Sequence, residues 1–346
     1  MLPSKNSFLD HVKWLRKAVA AEQAEFILAG DTMQALVRKG NAHWLLRPQF
    51  LTTIDGTRQY SSTPSDGSQM FAGWFPYDTR RWRLASDKLA FKHFAQSAGF
   101  HVPEHDVSPN SQMTDVVVKR VASSFGTAVS GPYRKAQENP IDPSVGEYYE
   151  RFIFGDLLKI WFWNATPVCA ELDRMPYVMG DGVLNLRQQI IVRARYARNY
   201  SEEESRELVK SCAPLLKYYG VTEDTVLPRG KEQRIEFRYG SDLMHPRNRR
   251  IVDLQSDPLE PWAQPIPEIG KTLYGAIPGD LRQHIVYTVD AIRDPAGQLW
   301  LLEMNSNPTL HPLVYVPMMQ GLLNNVAQPH VQDLPQVSQS LEPAQA

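Results

Sequence analysis

The stretch Trp300-Leu301-Leu302-Glu303-Met304-Asn305-Ser306-Asn307-Pro308-Thr309 delivers an acid and two amides at the end of an apolar run, and a proline then stops it. The continuous apolar character of Trp300 to Leu302 predicts a strand buried on both faces, and alternation along a strand aims Glu303 and Asn305 the same way. Just upstream, Ile285 to Ile292 is a second apolar run carrying one acid, Asp290, and it leads into the turn sequence Asp294-Pro295-Ala296-Gly297. Two runs joined in this way predict a hairpin that sets Asp290 beside Glu303. Oxygen ligands gathered on one face suit Mg2+, which prefers carboxylates, waters and substrate phosphates to an all-protein cage. The same residues also fit a plainer role, with Glu303 capping a turn and Asn305 forming an Asx-turn before Pro308.

The rest of the chain must supply whatever such a strand serves. Its 346 residues suffice for two or three structural units. With 37 Lys and Arg against 38 Asp and Glu there is no global field to favour nucleic acid or an anionic membrane, and neither is expected as a partner. Two cysteines, Cys169 and Cys212, make neither a disulfide framework nor a zinc cluster, so both are read as reduced packing residues in a cytoplasmic protein. No apolar run reaches the roughly 18 residues of a membrane span, and the N-terminus lacks a signal-peptide core.

Residues 7 to 28 open with Ser7 as a helix cap and carry apolar residues at helical spacing. From Phe26 to Tyr77, short apolar pieces alternate with Gly, Ser and Thr clusters, which reads as a small N-terminal α/β region (1–83) of unreadable topology. A helix follows from Ser86 to Gly99, then a short strand, Asp115 to Lys119, and a hydroxyl-rich loop, Ser123-Ser124-Phe125-Gly126-Thr127. A strand, a lysine and a loop of small residues can wrap phosphates, because backbone N–H groups and hydroxyls neutralise anionic oxygens; an ordinary hairpin turn beside a surface lysine fits equally. Strands are expected over 148–153, 157–163, 168–172 and 234–241, and a helix over Glu202 to Tyr219 capped by Ser201. The four prolines between Pro258 and Pro267 predict a loop. The Gln-, Pro- and Ser-rich residues 326–346 predict a disordered tail.

Several familiar patterns fail. Gly270-Lys271-Thr272 is no phosphate loop, since Pro265 stands where the first glycine is needed. His101-Val102-Pro103-Glu104-His105 has metalloprotease spacing, but Pro103 breaks the helix that spacing requires. Gly180-Asp181-Gly182 lacks the third glycine of a dinucleotide fingerprint. There is no serine elbow and no reactive-cysteine signature.

The order of the remaining pieces is informative: Lys88, Lys119 with its loop, Glu150 to Asp156, Arg174-Met175-Pro176 with Gly180-Asp181-Gly182, then Asp290, Glu303 and Asn305. Over residues 84 to 315 this order resembles the ATP-grasp superfamily, and within it the branch of bacterial glutathione synthetase and cyanophycin synthetase. The resemblance implies an α/β (α+β) ATP-grasp fold in which two lobes, 84–148 and 149–325, clasp ATP. Lys88 and Lys119 match lysines that hold ATP phosphates, and Ser123, Ser124, Gly126 and Thr127 match the loop that closes over them. Glu150, Arg151, Phe152, Ile153 and Asp156 match the hinge that receives adenine and ribose, and Asp290, Glu303 and Asn305 match ligands of Mg2+, with Mn2+ as an alternative ion. Arg174 and Arg238, together with Lys119, match groups that meet the acyl phosphate or the acceptor carboxylate.

The implied reaction is an ATP-dependent, ADP-forming ligation. A carboxylate becomes an acyl phosphate, which an amine attacks to give an amide, the partners being an amino acid or small peptide. Such chemistry asks for charge neutralisation and positioning and no covalent protein nucleophile. Two alternatives stand beside it: a phosphotransferase acting on one small substrate, and a nucleotide-binding regulator without turnover. A homodimer is compatible with all three. The chain departs from the pattern at Arg120, where proline is common, and in the glycines replaced by Ser123, Ser124 and Phe125.

Overall fold

The computed structural model describes residues 7–324 apart from 55, 123–128, 199, 240, 242, 245–248 and 256–258. Helix α1 (Phe8–Ala21) begins where expected, with the Ser7 hydroxyl accepting the Asp10 N–H at 3.3 Å. It stops well short of residue 28, because Gln23 adopts a left-handed φ of 55° and the chain leaves as a strand. That strand, β1 (Glu25–Leu28), is followed by β2 (Ala35–Lys39), β3 (Ala42–Ile54), β4 (Thr57–Ser61) and β5 (Ser68–Phe75). All pair antiparallel: the first half of β3 pairs with β2, and its second half with both β4 and β5. The N-terminal region, whose topology the sequence left unread, is one helix with an antiparallel sheet. It does not keep to its own core, since Leu15, Trp74, Phe75 and Tyr77 share one apolar cluster with Trp161, Phe162 and Tyr315.

Helix α2 (Lys88–Ser97) is capped by Asp87, whose carboxylate accepts the Ala90 N–H at 2.9 Å. It leads into a four-stranded antiparallel sheet of β6 (His105–Asp106), β7 (Thr114–Arg120), β8 (Val129–Lys135) and β9 (Glu147–Arg151), in the order β6-β9-β7-β8. β9 carries this sheet to Arg151, beyond the expected lobe boundary at 148. Strands β10 (Asp156–Trp163) and β11 (Thr166–Asp173) open a second five-stranded sheet. The chain then leaves for an insertion built from β12 (Tyr177–Met179), α3 (Leu186–Arg198), α4 (Glu202–Tyr218) and β13 (Glu232–Arg234), which has its own apolar cluster around Leu186, Ile190, Val209 and Leu216. It returns as β14 (Arg249–Asp253), α5 (Ile266–Ala276), α6 (Gly279–Arg282), β15 (Val286–Arg293), β16 (Leu299–Asn305) and α7 (Tyr315–Asn324), completing the antiparallel order β14-β11-β10-β15-β16.

Three helices of more than a single turn escaped the sequence reading. α3 opens on a reciprocal cap in which the side chains of Asn185 and Gln188 each accept the other's backbone N–H at 3.0 Å, and α7 follows a single tight turn, Pro312–Val314. α5 starts inside the segment taken as a loop, because Pro267 sits in its first turn, where a proline's missing N–H costs nothing. The expected strand over 234–241 ends at Arg234. Beyond it the Ile235 N–H still bonds to the Pro176 carbonyl at 3.0 Å, and the Glu236 carboxylate then accepts the N–H groups of Phe237 and Arg238 at 2.8 and 3.0 Å, so those two are satisfied locally. The helix over 202–218 is capped by Ser201 as expected, and Glu204 makes the cap reciprocal. No described helix is long and apolar enough to cross a membrane. The tail expected over 326–346 lies outside the described residues.

Candidate active site

The predicted hairpin is present, and its register depends on one extra residue. β15 and β16 pair Ala291 with Leu301 but Asp290 with Glu303, so Leu302 is a bulge. Without it Asp290 would face Leu302, and Glu303 would turn toward the core with Leu301. The bulge thus puts the two carboxylates opposite one another on one face, the re-aiming that bulges near functional sites commonly perform. Trp300 and Leu302 are half-buried, so the strand is not buried on both faces as its composition suggested. Asn305 follows on the same face and donates from its amide to Asp290 Oδ2 at 3.2 Å. Asn307, the second amide, is spent elsewhere: it exchanges two hydrogen bonds with the Arg80 backbone, at 3.0 and 2.8 Å.

A cleft opens in front of this pair, with the four-stranded sheet on its other side. Lys88 enters from the start of α2 and Lys119 from the end of β7, and both line the cleft with Asp290 and Glu303. Val129, the register partner of Lys119, lines it too, so the segment joining β7 to β8 springs from the cleft's lip. Ser123, Ser124, Gly126 and Thr127, expected to close over phosphates, lie in that segment, outside the described residues. Between the sheets runs the connection from β9 to β10, where Arg151, Phe152, Ile153, Phe154 and Gly155 form one wall. Only glycine fits at 155, because a Cβ there would lie 2.3 Å from the Arg293 carbonyl oxygen. The Phe152 N–H bonds to Asp115, whereas the N–H groups of Ile153 and Phe154 find no backbone acceptor among the described residues. Val117, Met175, Phe237, Ile292 and Leu302 supply apolar surface around that edge.

The charges in the cleft are paired across it. Lys88 Nζ lies 2.9 Å from Glu303 Oε2, joining α2 to β16. Lys159, on β10 directly opposite Asp290, contacts that carboxylate. Burial pushes the Asp290 carboxyl up, against the pull of Lys159 and with the Glu303 charge adding to the rise. Burial acts the same way on Glu303, but Lys88, Lys119 and Lys159 outweigh it and hold that carboxyl below its usual range. Two carboxylates and an amide oxygen are the hard donors a Mg2+ ion uses when phosphates and water complete its shell, so the set fits the ion. Among the described residues no group of three His, Cys, Asp or Glu suits a metal by itself.

Other expected residues take different places. Glu150, read as a receiver of ribose, is buried and bonded to two lysines, Lys119 at 2.5 Å and Lys92 at 2.7 Å. Burial alone would raise its carboxyl, yet the two ammonium groups bring it down to about 2. It is the anchor of the lysine pair. Asp156 pairs with Arg293 at 2.8 Å, and Arg174 with Glu232 at 2.8 Å. Both line a shallower groove on the far side of Gly155, outside the main cleft. The Gly180-Asp181-Gly182 motif frames the insertion: Asp181 accepts the N–H groups of Val183 and Leu184 at 2.8 Å, and a Cβ at Gly180 would lie 2.2 Å from the Pro228 carbonyl oxygen. Arg238 does line the cleft, clamped on buried Glu236 by bonds of 2.9 and 2.7 Å.

The sequence reading missed Lys92 and Lys159. Lys92 stands four residues after Lys88, hence on the same helix face, and Lys159 is the one charge inside the apolar run of β10. A charge in such a setting is the signal that both were spoken for.

No family model matches the chain, and no curated protein matches it. Among solved structures it is similar to a bifunctional glutathione synthetase from Pasteurella multocida, at a TM-score of 0.41 and 14% identity over 91% of this chain and 43% of that one. It is also similar to a D-alanine–D-alanine ligase from Bacillus anthracis (TM-score 0.38, 13% identity, 70% of this chain and 66% of that one). A third is the ATP-grasp ligase PsnB complexed with a minimal precursor (TM-score 0.35, 11% identity, 70% and 60%). The chain spans less than two thirds of the length of each. Likenesses this slight carry no function across, and a functional reading of the chain has to rest on the residues it brings together.

Proposed function

We propose that this chain is an ATP-dependent carboxylate–amine ligase of the ATP-grasp kind, forming an amide through an acyl phosphate on an amino acid or small peptide. The observation that carries the reading is the meeting of Lys88 and Lys119 with the Asp290–Glu303 pair in one cleft, each delivered by a different element. The edge formed by Phe152 to Gly155, with open N–H groups and apolar flanks, suits a flat heteroaromatic base. The lysines beyond it suit the phosphates.

Asp290, Glu303 and Asn305 would hold Mg2+, which neutralises phosphate charge when bound. The protein's own part is positional. Lys88 and Lys119 exchange their carboxylate partners for phosphate oxygens, and their charges oppose the negative charge that develops as the phosphoryl group moves. Arg238, fixed in orientation by Glu236, presents a guanidinium edge to a substrate carboxylate. No side chain need become covalently attached to substrate.

The test is Mg2+-dependent release of ADP and phosphate with a panel of amino acids and dipeptides, with mass spectrometry of the mixtures. A product weighing the sum of two substrates less water supports the ligase. Phosphate carried to a single compound replaces it with a phosphotransferase, and nucleotide binding with no turnover on any pair favours a regulator.

A further inference from the structure

We propose that Lys159 is the resident counter-ion of the Asp290–Glu303 pair and makes divalent-cation binding conditional on nucleotide. The inference rests on the ligase reading only in taking these carboxylates as the cation's ligands.

The strand registers of the second five-stranded sheet place Glu171, Lys159, Asp290 and Glu303 opposite one another in turn on β11, β10, β15 and β16. Opposed residues in antiparallel strands share a face, so these four form a charged row across a sheet whose neighbouring positions Leu158, Ile160, Val289 and Ala291 are buried and apolar. The Lys159 side chain is 14% exposed and that of Asp290 16%, so the contact between them is largely shielded from water. The ammonium is held from its other side by the Tyr239 ring, whose centroid is 4.9 Å from Nζ, and the Tyr239 hydroxyl donates to Glu171 at 3.2 Å. Lys159 is thereby fixed in the floor of the site.

Lys88 and Lys159 differ in what they can do next. Lys88 lines the cleft from a separate helix and can trade Glu303 for a phosphate oxygen. Lys159 is absent from the cleft lining and reaches Asp290 from within the sheet, so it stays when the cleft fills. As they stand, the two carboxylates face two ammonium groups and an amide, an electrically neutral set that offers an entering dication no net attraction. Once Lys88 has moved, Lys159 still cancels one of the two charges. A bare dication therefore meets a weak site, and one that arrives with a triphosphate brings the missing negative charge with it.

Mn2+ is the probe, followed by the loss of its free electron paramagnetic resonance signal on titration into the full-length protein, with and without a non-hydrolysable ATP analogue. Wild type should take up Mn2+ appreciably only with the nucleotide. Lys159→Met should bind Mn2+ alone at least about tenfold more tightly than wild type, equivalent to about 1.4 kcal/mol, and Lys159→Arg should behave as wild type. The Met variant should also melt earlier without metal and recover on adding Mn2+ alone, a recovery wild type does not show. Mn2+ uptake by wild type that is equally tight without nucleotide overturns the proposal, and needs no variant to fold. So does a Met variant that binds no more tightly than wild type. In either case intact nucleotide binding by calorimetry leaves the ligase reading standing, whereas a wild type that binds no nucleotide under any condition overturns both.

Discussion

Replacing Glu150 with Gln would strand a buried cation, and the cost can be worked from the structure. Glu150 lies at the centre of the lysine pair, 2.7 Å from Lys92 and 2.5 Å from Lys119, with Lys92 wholly buried and Glu150 nearly so. Its carboxyl is held at about 2 against an ordinary 4.5. At about 1.4 kcal/mol per pH unit, that depression makes the ionised native arrangement worth about 3 kcal/mol near neutral pH. Removing one member of a buried ion pair costs about 3 to 5 kcal/mol, because the survivor keeps its desolvation penalty. Burial already depresses the Lys92 ammonium, and loss of its proton would cap the damage in the Gln variant. The expected loss is therefore about 3 to 5 kcal/mol, read from urea denaturation followed by tryptophan fluorescence. Adding Lys92→Met should restore at least half of it. The pH dependence has a definite sign. Since the native carboxyl titrates below the unfolded one, the unfolded chain takes the proton first as pH falls, and this contribution drains away between about pH 5 and 2. In the wild type Lys92 is paired with Glu150 in the folded chain and charged in the unfolded one, so the carboxyl alone sets the slope in that window. In Glu150→Gln the acid loss should flatten. A destabilisation under about 1 kcal/mol, or a double variant whose losses simply add, would refute the reasoning.

Two more outcomes are expected at the site. Glu303→Gln removes the partner of Lys88 and, on the proposed reading, a metal ligand, so turnover of ATP should fall about 100- to 1000-fold, the usual effect of deleting one group that meets developing charge, while circular dichroism stays that of wild type. Near-normal turnover would take Glu303 out of the site. Lys119→Ala removes a charge-assisted contact and should weaken ATP binding about ten- to hundredfold by calorimetry, whereas unchanged affinity would leave Lys119 as no more than a companion of Glu150.

The hairpin was legible because its signals are local: two apolar runs, a Pro-Ala-Gly turn and one acid on each strand. The bulge at Leu302 was not, although the facing of Glu303 depends on it, because a one-residue slip leaves the apolar pattern nearly unchanged and only the packed sheet selects the register. Order along the chain pointed to Lys88 and Lys119, and both line the cleft. The pairings of Glu150 and Asp156 were hidden, because an acid near a hinge looks the same in sequence whether it faces ligand, lysine or arginine. What sets Glu150 apart is burial against Lys92, on a helix some sixty residues away. The antiparallel sheet of the N-terminal region was illegible for a related reason. Strands β1, β2 and β4 are short, and the long β3 changes partners midway and is buried almost continuously over its second half, so it does not show the clean alternation of a strand packed on one side only.

On the proposed reading, the doubling of lysines around Glu150 has a purpose that neither lysine has alone. A lysine that is to meet phosphate must be charged and oriented before the nucleotide arrives, which a nearby carboxylate ensures. It must also be able to leave that carboxylate. If Lys119 were the sole partner of Glu150, its departure would strand a buried anion, and the cost would be charged against nucleotide binding. Lys92, fully buried and 2.7 Å from the other carboxylate oxygen, stays behind and keeps the acid paired. Glu303 has a different answer to the same problem: it loses Lys88 as a cation takes that lysine's place. The two acids nearest the phosphate lysines are thus relieved in different ways, one by a permanent second lysine and the other by the incoming ligand. The buried lysine therefore accompanies the acid on the β7–β9 sheet, where no cation is expected, while at the carboxylate pair the permanent lysine, Lys159, contacts Asp290 and leaves the Lys88 side of Glu303 to the incoming ion.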